Sequence, residues 1–255
     1  MARNAADLPA WCGYRAPMPK AHASWNRLPH GPIARLADNL WWVQGSLPGM
    51  SLKRAMVIAR LSDGRLVIHN AIALDPGAMQ ELERWGTPGF LIVPSAIHRL
   101  DAPAYKARYP ELRVLCPSGA RKAVSEVLAV DGDYGDFPSD ETVRFEMLHG
   151  VADAEGAMIV RSADGVTVVL NDVMFNMDRK RDVLGFLFTT VMGSAPGPRV
   201  SRLAKLMLVK DKAALRGDFA RYAEFADLQR VIVAHEKVAS GADARSALRA
   251  AMQYL

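Results

Sequence analysis

Hydrophobic positions along the chain fall into short apolar runs separated by turns and by amphipathic stretches. The clearest run, Phe90–Val93, is too short for a free-standing helix and too uniformly apolar for a half-exposed strand. Such runs are typical of strands in a sheet that is covered on both faces. Three further stretches follow the same plan: VRFEML at 143–148, VTVVLN at 166–171 and RVIVA at 230–234. With helical periodicity between them, they predict an α/β fold.

Each of these runs is followed within a few residues by a histidine or an aspartate. The first leads to His98 and Asp101, the second to His149, the third to Asp172 and the fourth to His235. In open α/β sheets, ligands collect beyond the carboxyl ends of the strands. We therefore expect these side chains to form one cluster, with ligand types that suit zinc or iron.

Each of these residues also has an ordinary structural interpretation. A histidine after a strand is commonly hydrogen-bonded within the fold, and an aspartate there is a common N-cap or turn residue. Asp101 in particular precedes the helical stretch APAYKARY and could simply cap it. Because four strands each end near a histidine or an aspartate, a shared cluster is favoured. A purely structural role remains open for each residue taken alone.

The rest of the pattern predicts two hairpins and several helices. The hairpins turn at 63–64 and 162–165, where Asp-Gly pairs supply a tight turn. Caps and periodicity predict helices at 76–85, 118–130, 211–226 and 243–255. The apolar segment 174–198 predicts either a loop and short helix that form a lid beside the cluster, or a plain packed helix.

Length and composition favour one globular domain. Residues 1–35 are rich in proline and lack sustained periodicity, so we expect an extended segment there and a single domain at 36–255. No apolar run reaches the ~20 residues that span a bilayer, and no hydrophobic signal core is present. Cys12 and Cys116 show no paired spacing. We therefore expect a soluble, cytoplasmic protein with no membrane partner.

The net charge of +5 favours contact with anions. Basic residues are scattered among acidic ones, so a nucleic-acid partner is not favoured, and we expect a small-molecule substrate for which the charge favours an anion. The most basic neighbourhood, 199–212, is interpreted as a solvent-facing helix. The acidic loop 131–140 lacks the glutamate and spacing of a calcium-binding EF-hand.

The order of elements and polar residues resembles the metallo-β-lactamase-like superfamily over about residues 36–255. The first motif of that family, H-x-H-x-D-H after a strand, falls on residues 96–101. His98 stands at its second histidine, whereas Ala96, Leu100 and Asp101 replace the first histidine, the aspartate and the last histidine. This part of the resemblance is degenerate.

The later motifs of the family match better. Its single later histidine falls on His149, its metal-bridging aspartate on Asp172 and its final histidine on His235. The resemblance implies an αββα sandwich, in which two mixed β-sheets pack face to face with helices on the outside. It also implies metal ligation by His98, His149, Asp172 and His235, with Asp101 as a further ligand and with Asp172 and Asp101 as catalytic residues.

The replaced positions imply a reduced site in which one zinc or iron ion is the economical arrangement. The leading hypothesis is therefore a metal-dependent hydrolase that acts on an ester, thioester, lactam or phosphoester. The alternative is a catalytically inactive family member without metal that serves as a binding or scaffold protein. A nucleic-acid-processing member is a third hypothesis, which depends on the positive charge alone.

Overall fold

The computed structural model describes residues 20–255, whose strands form two sheets. The first sheet follows chain order and contains β1 (Ala34–Ala37), β2 (Leu40–Leu47), β3 (Met50–Arg60), β4 (Arg65–His69), β5 (Thr87–Ile92) and β6 (Arg113–Leu115). Strands β1 to β4 pair antiparallel, and β5 and β6 add in parallel. The first sheet is thus mixed and comes entirely from the first half of the chain.

The second sheet comes entirely from the second half of the chain. It contains β7 (Val143–Met147), β8 (Gly156–Ser162), β9 (Gly165–Val169), β10 (Leu228–Ile232) and β11 (Ala239–Ser240) in the spatial order β11-β10-β9-β8-β7. Strands β9 and β10 are parallel, and the other neighbours are antiparallel. All four apolar runs that the sequence predicts as strands are therefore strands.

Seven α-helices lie within residues 20–255: α1 (Pro76–Trp85), α2 (Ala102–Arg108), α3 (Arg121–Val124), α4 (Val183–Phe186), α5 (Arg202–Met207), α6 (Lys212–Ala223) and α7 (Ala242–Met252). One π-helical turn, Leu187–Val191, continues α4. Helix α1 occupies its predicted span. The Asp211 side chain caps α6 as predicted, accepting hydrogen bonds from the backbone N–H groups of Ala213 and Ala214.

The helix predicted at 118–130 is wrong in length. A 3-10 turn at Ser118–Ala120 leads into α3, which ends at Val124. The chain must return at this point to the edge of β6, where the backbone N–H of Asp131 donates to the carbonyl of Val114. A longer helix would carry the chain away from that edge.

Strand β5 is apolar on both faces because each face packs into a separate hydrophobic core. Phe90 and Ile92 pack between the two sheets, whereas Leu91 and Val93 face the opposite side among the side chains of α1 and α2. A second outer core joins the second sheet to α6 and α7. Burying each such apolar side chain contributes about 1.5–3 kcal/mol. These three layers of core confirm the predicted αββα sandwich.

The described part of the N-terminal segment, from residue 20, lies against the domain. The indole N–H of Trp25 donates to the carbonyl of Leu74 at 3.0 Å, and the backbone N–H of His22 donates to the carbonyl of Leu100 at 2.7 Å. The predicted extended course of residues 1–19, with Cys12, lies outside the described residues. Helices long and apolar enough to cross a membrane are absent from residues 20–255.

Candidate metal centre

Three of the five predicted ligands meet in one place. The Nε2 atom of His98 lies 2.9 Å from Oδ2 of Asp172, and the Nε2 atom of His235 lies 3.1 Å from Oδ1 of the same carboxylate. One donor atom from each of the three residues lies within 4.8 Å of the others. Within residues 20–255, this is the one group of three or more such side chains close enough to hold a metal ion.

The two sheets bring these residues together from distant parts of the chain. Asp172 and His235 follow β9 and β10, whose parallel pairing places their carboxyl ends side by side. His98 lies in the connection after β5 and comes from the opposite sheet. The edge-to-face packing of the two imidazoles, with ring centroids 5.3 Å apart, marks this junction. The site therefore exists only where the two sheets meet.

Both ring nitrogens of His235 face hydrogen-bond acceptors. Its Nδ1 lies 2.7 Å from the backbone carbonyl of Lys53, while its Nε2 faces the carboxylate of Asp172. A neutral imidazole carries one N–H, and the carbonyl of Lys53 requires it at Nδ1. In the neutral form the Nε2 lone pair therefore points at a carboxylate, an arrangement suited to a cation between the two, whereas in the protonated form Nε2–H donates to that carboxylate. The donor chemistry thus fits a metal ion held by these residues.

The electrostatics of the cluster favour a charged carboxylate. Burial raises the pKa of Asp172, but the charge of His98 and the hydrogen bonds from His235 and His98 outweigh it and hold this pKa well below its usual range. Burial lowers the pKa of His235, yet the hydrogen bond and charge of Asp172 raise it above the ordinary value. Asp172 is therefore held ionised between the two imidazoles.

Glu155, which the sequence analysis missed, supports Asp172 from behind. Its buried carboxylate accepts hydrogen bonds from the side-chain amide of Asn171 at 3.0 Å and from the backbone N–H groups of Asp172 at 3.2 Å and Val173 at 2.9 Å. Burial, with the nearby charge of Asp172, raises the pKa of Glu155 to about 8. A lone glutamate before β8 carries no sequence signal for this role.

His149 does not join the cluster, contrary to prediction. Its Nδ1 lies 2.9 Å from Oδ1 of the buried Asp218 on α6, and its side chain is 73% exposed. The backbone N–H of His149 donates to the same carboxylate at 2.6 Å. Because β8 separates β7 from β9, the ends of these two strands are about 10 Å apart. His149 therefore takes a partner on the adjacent helix.

Asp101 lies apart from the cluster of predicted ligands and is not a helix cap. Its fully buried carboxylate pairs with Arg54, accepts a hydrogen bond from the backbone N–H of Ala73 at 3.0 Å and lies 2.6 Å from Nδ1 of His22. It forms no capping hydrogen bond to α2. Arg54 is buried within β3, and a buried guanidinium requires a charged partner. In the structure Asp101 is the partner of Arg54 in this ion pair, in place of the ligand, catalytic and capping roles expected from the sequence.

A cavity of about 470 Å³ opens beside the cluster and is mostly apolar. His98, Asp172 and His235 line it, with Phe175 stacked on His235 at a ring-centroid distance of 5.7 Å. Phe188, from the π-helical turn, forms part of the wall. The segment predicted as a lid or a packed helix therefore contributes to the cavity. The polar lining residues besides the cluster are Arg54, Asn70, Ser95 and Glu155.

Two lining residues could not be assigned from the sequence pattern. Asn70 follows β4 with a φ of 58°, a left-handed conformation that asparagine tolerates better than most residues. Arg54 lies in an otherwise apolar strand and has an Nε atom that finds no hydrogen-bond partner within residues 20–255. A positive charge in a buried strand is the one signal that could have marked Arg54.

No family model and no curated protein matches the chain. Solved structures do match it over nearly its whole length. The DIM-1 metallo-β-lactamase, in a crystal structure exposed to ceftazidime, has a TM-score of 0.61 and 10% identity, covering 90% of this chain and 98% of its own. The FIM-1 metallo-β-lactamase from Pseudomonas aeruginosa, in its mono-zinc form, has a TM-score of 0.55 and 12% identity, with coverages of 91% and 97%.

A metallo-β-lactamase from Pontibacter korlensis gives a similar result, with a TM-score of 0.56 and 10% identity over 87% of this chain and 97% of that one. Identities this low show a shared fold. The mixed sheets, the outer helices and the chain order agree with that result. The chain therefore has the fold of the metallo-β-lactamase-like superfamily, as the order of its strands and polar residues predicted.

Proposed function

We propose that the protein is a metal-dependent hydrolase whose single metal ion is held by His98, Asp172 and His235. The observation that carries this proposal is the convergence of their donor atoms within 4.8 Å on the wall of an apolar cavity. Three protein ligands with an open position are the minimum arrangement of a catalytic zinc site. Two imidazoles and one carboxylate suit zinc or iron.

A bound ion of this kind acts as a Lewis acid and makes water nucleophilic near neutral pH. The surrounding side chains would prepare the site for that chemistry. Asp172 is held ionised and can accept a hydrogen bond from the attacking water, which orients it. Glu155 fixes the backbone of Asp172 through buried hydrogen bonds. Phe175 and Phe188 line the cavity with apolar surface.

The cavity lining favours a substrate with an apolar acyl group. Water would add to the carbonyl carbon of a carboxylic ester, thioester or lactam, and the bond to the alcohol, thiol or amine would break. A phosphoester is less favoured, because Arg54 is the one lysine or arginine among the described residues that line the cavity, and Asp101 already neutralises it. The substrate anion expected from net charge is therefore not favoured inside the cavity.

One observation favours a second candidate function, a metal-free binding protein. The three cluster side chains also satisfy one another, because both imidazoles can hydrogen-bond to Asp172 when His235 is protonated. A catalytically inactive protein could keep this network and use the cavity to bind an apolar ligand. Metal content separates the two candidates.

The deciding experiment is elemental analysis of protein purified without a metal-binding tag or chelator, followed by hydrolysis assays with chromogenic esters, thioesters and lactams. We expect about one zinc or iron per chain, in line with a three-ligand site. His98→Ala and His235→Ala should lose both metal and activity. His149→Ala is the matched control and should keep both. Wild-type protein that takes up no metal would favour the binding protein instead.

A further inference from the structure

The positive charge of the chain is concentrated in one segment. Residues 178–212 contain eight lysines or arginines against three aspartates, a net charge of +5 that equals the net charge of the whole chain. The remaining residues of the chain therefore carry equal numbers of basic and acidic side chains. Arg179, Arg181 and Lys205 form no ion pair within residues 20–255. The segment thus presents unneutralised cations on the surface.

The same segment carries most of the exposed apolar side chains. Among the large hydrophobic residues exposed in the described part of the chain, seven of nine lie here: Val183, Leu184, Phe186, Leu187, Val191, Leu206 and Met207. Val183 is 83% exposed and Leu206 67% exposed. A helix on a protein surface normally turns its polar side outward. Helix α4 and its π-helical turn instead turn apolar residues outward and bury Gly185 and Thr189.

The two helical segments that carry the apolar patch are neighbours, and both reach the cavity. The backbone N–H of Arg202, at the start of α5, donates to the carbonyl of Met192 at the end of the π-helical turn, so the two helices are neighbours. Met207 is half exposed and also lines the cavity, and Phe188 and Leu208 line it from the same two helices. Apolar residues of both helical segments, with the basic Arg202 at their junction, therefore lie at one approach to the cavity.

We propose that this surface docks onto an anionic phospholipid membrane, with the apolar patch in the boundary between headgroups and acyl chains. Helices that lie on a membrane combine an apolar face with flanking lysine and arginine, and no membrane-spanning length is needed. Cations near such a surface interact with the negatively charged headgroups. The proposal revises the expectation of no membrane partner, which considered only spanning segments.

Two other binding partners, a second copy of the chain and nucleic acid, account for fewer features of this surface. A second copy of the chain in a two-fold dimer would bring this net charge of +5 against itself. Nucleic acid would account for the cations but not for seven exposed apolar side chains. The inference does not depend on the proposed function, because docking is measured without substrate or metal.

Co-sedimentation with vesicles tests the proposal. The full-length protein should bind vesicles of phosphatidylcholine mixed with phosphatidylglycerol and should bind vesicles of phosphatidylcholine alone much more weakly. Arg181→Gln combined with Lys205→Gln should weaken binding about 30-fold, the loss expected for two cations near an anionic surface. Arg84→Gln combined with Lys122→Gln removes the same charge from exposed positions elsewhere and should leave binding within about 3-fold of wild type, given the short screening length.

A second pair of substitutions tests the apolar half of the surface. Val183→Ser combined with Leu187→Ser should reduce vesicle binding at least 10-fold, while the melting temperature stays unchanged because both side chains are exposed. Equal binding to the two kinds of vesicle, or no binding to either, would overturn the proposal. So would a wild-type dimer that these substitutions convert to a monomer, or equal affinity for a DNA duplex at the same salt concentration.

Discussion

Glu155 and Asp172 are two buried acidic residues, and the backbone N–H of Asp172 donates a hydrogen bond to Oε1 of Glu155 at 3.2 Å. Glu155 fixes the loop that carries Asp172, and the carboxylate of Asp172 faces the two imidazoles. Groups that orient a metal ligand in this way contribute to metal affinity although they do not touch the metal.

We therefore predict that Glu155→Gln lowers zinc affinity about 10- to 100-fold, the usual effect of removing a supporting carboxylate. Glutamine offers one acceptor oxygen in place of two, so one of the hydrogen bonds to the 171–173 backbone or side chain is lost. Competition with a chromogenic chelator measures the affinity. Glu146→Gln, on β7, is the matched control, and an unchanged affinity in Glu155→Gln would contradict the supporting role.

The buried pair of Arg54 and Asp101 gives a prediction about stability. Asp101→Asn should lower the free energy of unfolding by about 3–5 kcal/mol, because it leaves the guanidinium buried without a charged partner. Urea denaturation measures the change, and metal content should stay at the wild-type value per folded chain.

Asp75→Asn is the control for this substitution. Asp75 forms an exposed ion pair with Arg27, and such pairs contribute about 0–1 kcal/mol. If Asp101 acted only as a helix cap, asparagine would replace it with little loss. A near-wild-type urea midpoint for Asp101→Asn would therefore favour the capping role that the structure excludes.

Thermal denaturation should depend on metal. Because a ligand that binds only the folded state stabilises it, added zinc at 100 times its dissociation constant should contribute about 2.7 kcal/mol. Chelator should remove this stabilisation, and Asp172→Asn should abolish the response to both. In a metal-free binding protein, the wild type itself would not respond to zinc or chelator, and Asp172→Asn would only cost a hydrogen bond of about 0.5–1.5 kcal/mol.

Asp140 gives a prediction about acid stability. It accepts hydrogen bonds from Ser62, beside β3, and from Thr142, before β7, and so connects the two sheets. Burial raises the pKa of Asp140, but these hydrogen bonds outweigh it and lower the pKa to about 2. Since this value lies below that of the unfolded chain, about 3.9, the stabilisation is complete above about pH 4 and is lost as pH falls towards 2.

Asp140→Asn should consequently have a lower urea midpoint than wild type near neutral pH, and the difference should shrink between about pH 4 and pH 2. Asp178→Asn, which removes an exposed partner of Lys237, should change the midpoint little at any pH. A difference between Asp140→Asn and wild type that stays constant down to pH 2 would show that its charge does not contribute.

The sequence predicts the fold well because the fold depends on periodicity. The apolar residues of β5 face a core on both sides, and this double burial is visible as an unbroken apolar run. The same logic locates β9 and β10, and their parallel pairing brings Asp172 and His235 together. His98 follows from the motif position and from the strand that precedes it.

The residues that sequence analysis misplaces or misses are those whose interactions involve residues outside any recognisable motif. His149 pairs with Asp218 and Asp101 with Arg54, and neither partner stands in a recognisable motif. Glu155 supports Asp172 from a loop with ordinary composition. The exposed apolar face of α4 was also beyond prediction, because an apolar helix is expected to be buried and only the structure shows which side faces solvent.

The division of the two sheets between the two halves of the chain has a consequence for assembly. A cut at the exposed Ser139 would leave two fragments, each with one complete sheet. The first fragment would hold His98 and the second would hold Asp172 and His235, so neither could bind metal with all three ligands. Metal uptake by a mixture of the fragments would show that the two halves had associated. The concentration of fragments needed for uptake would then measure how strongly the two sheets bind each other.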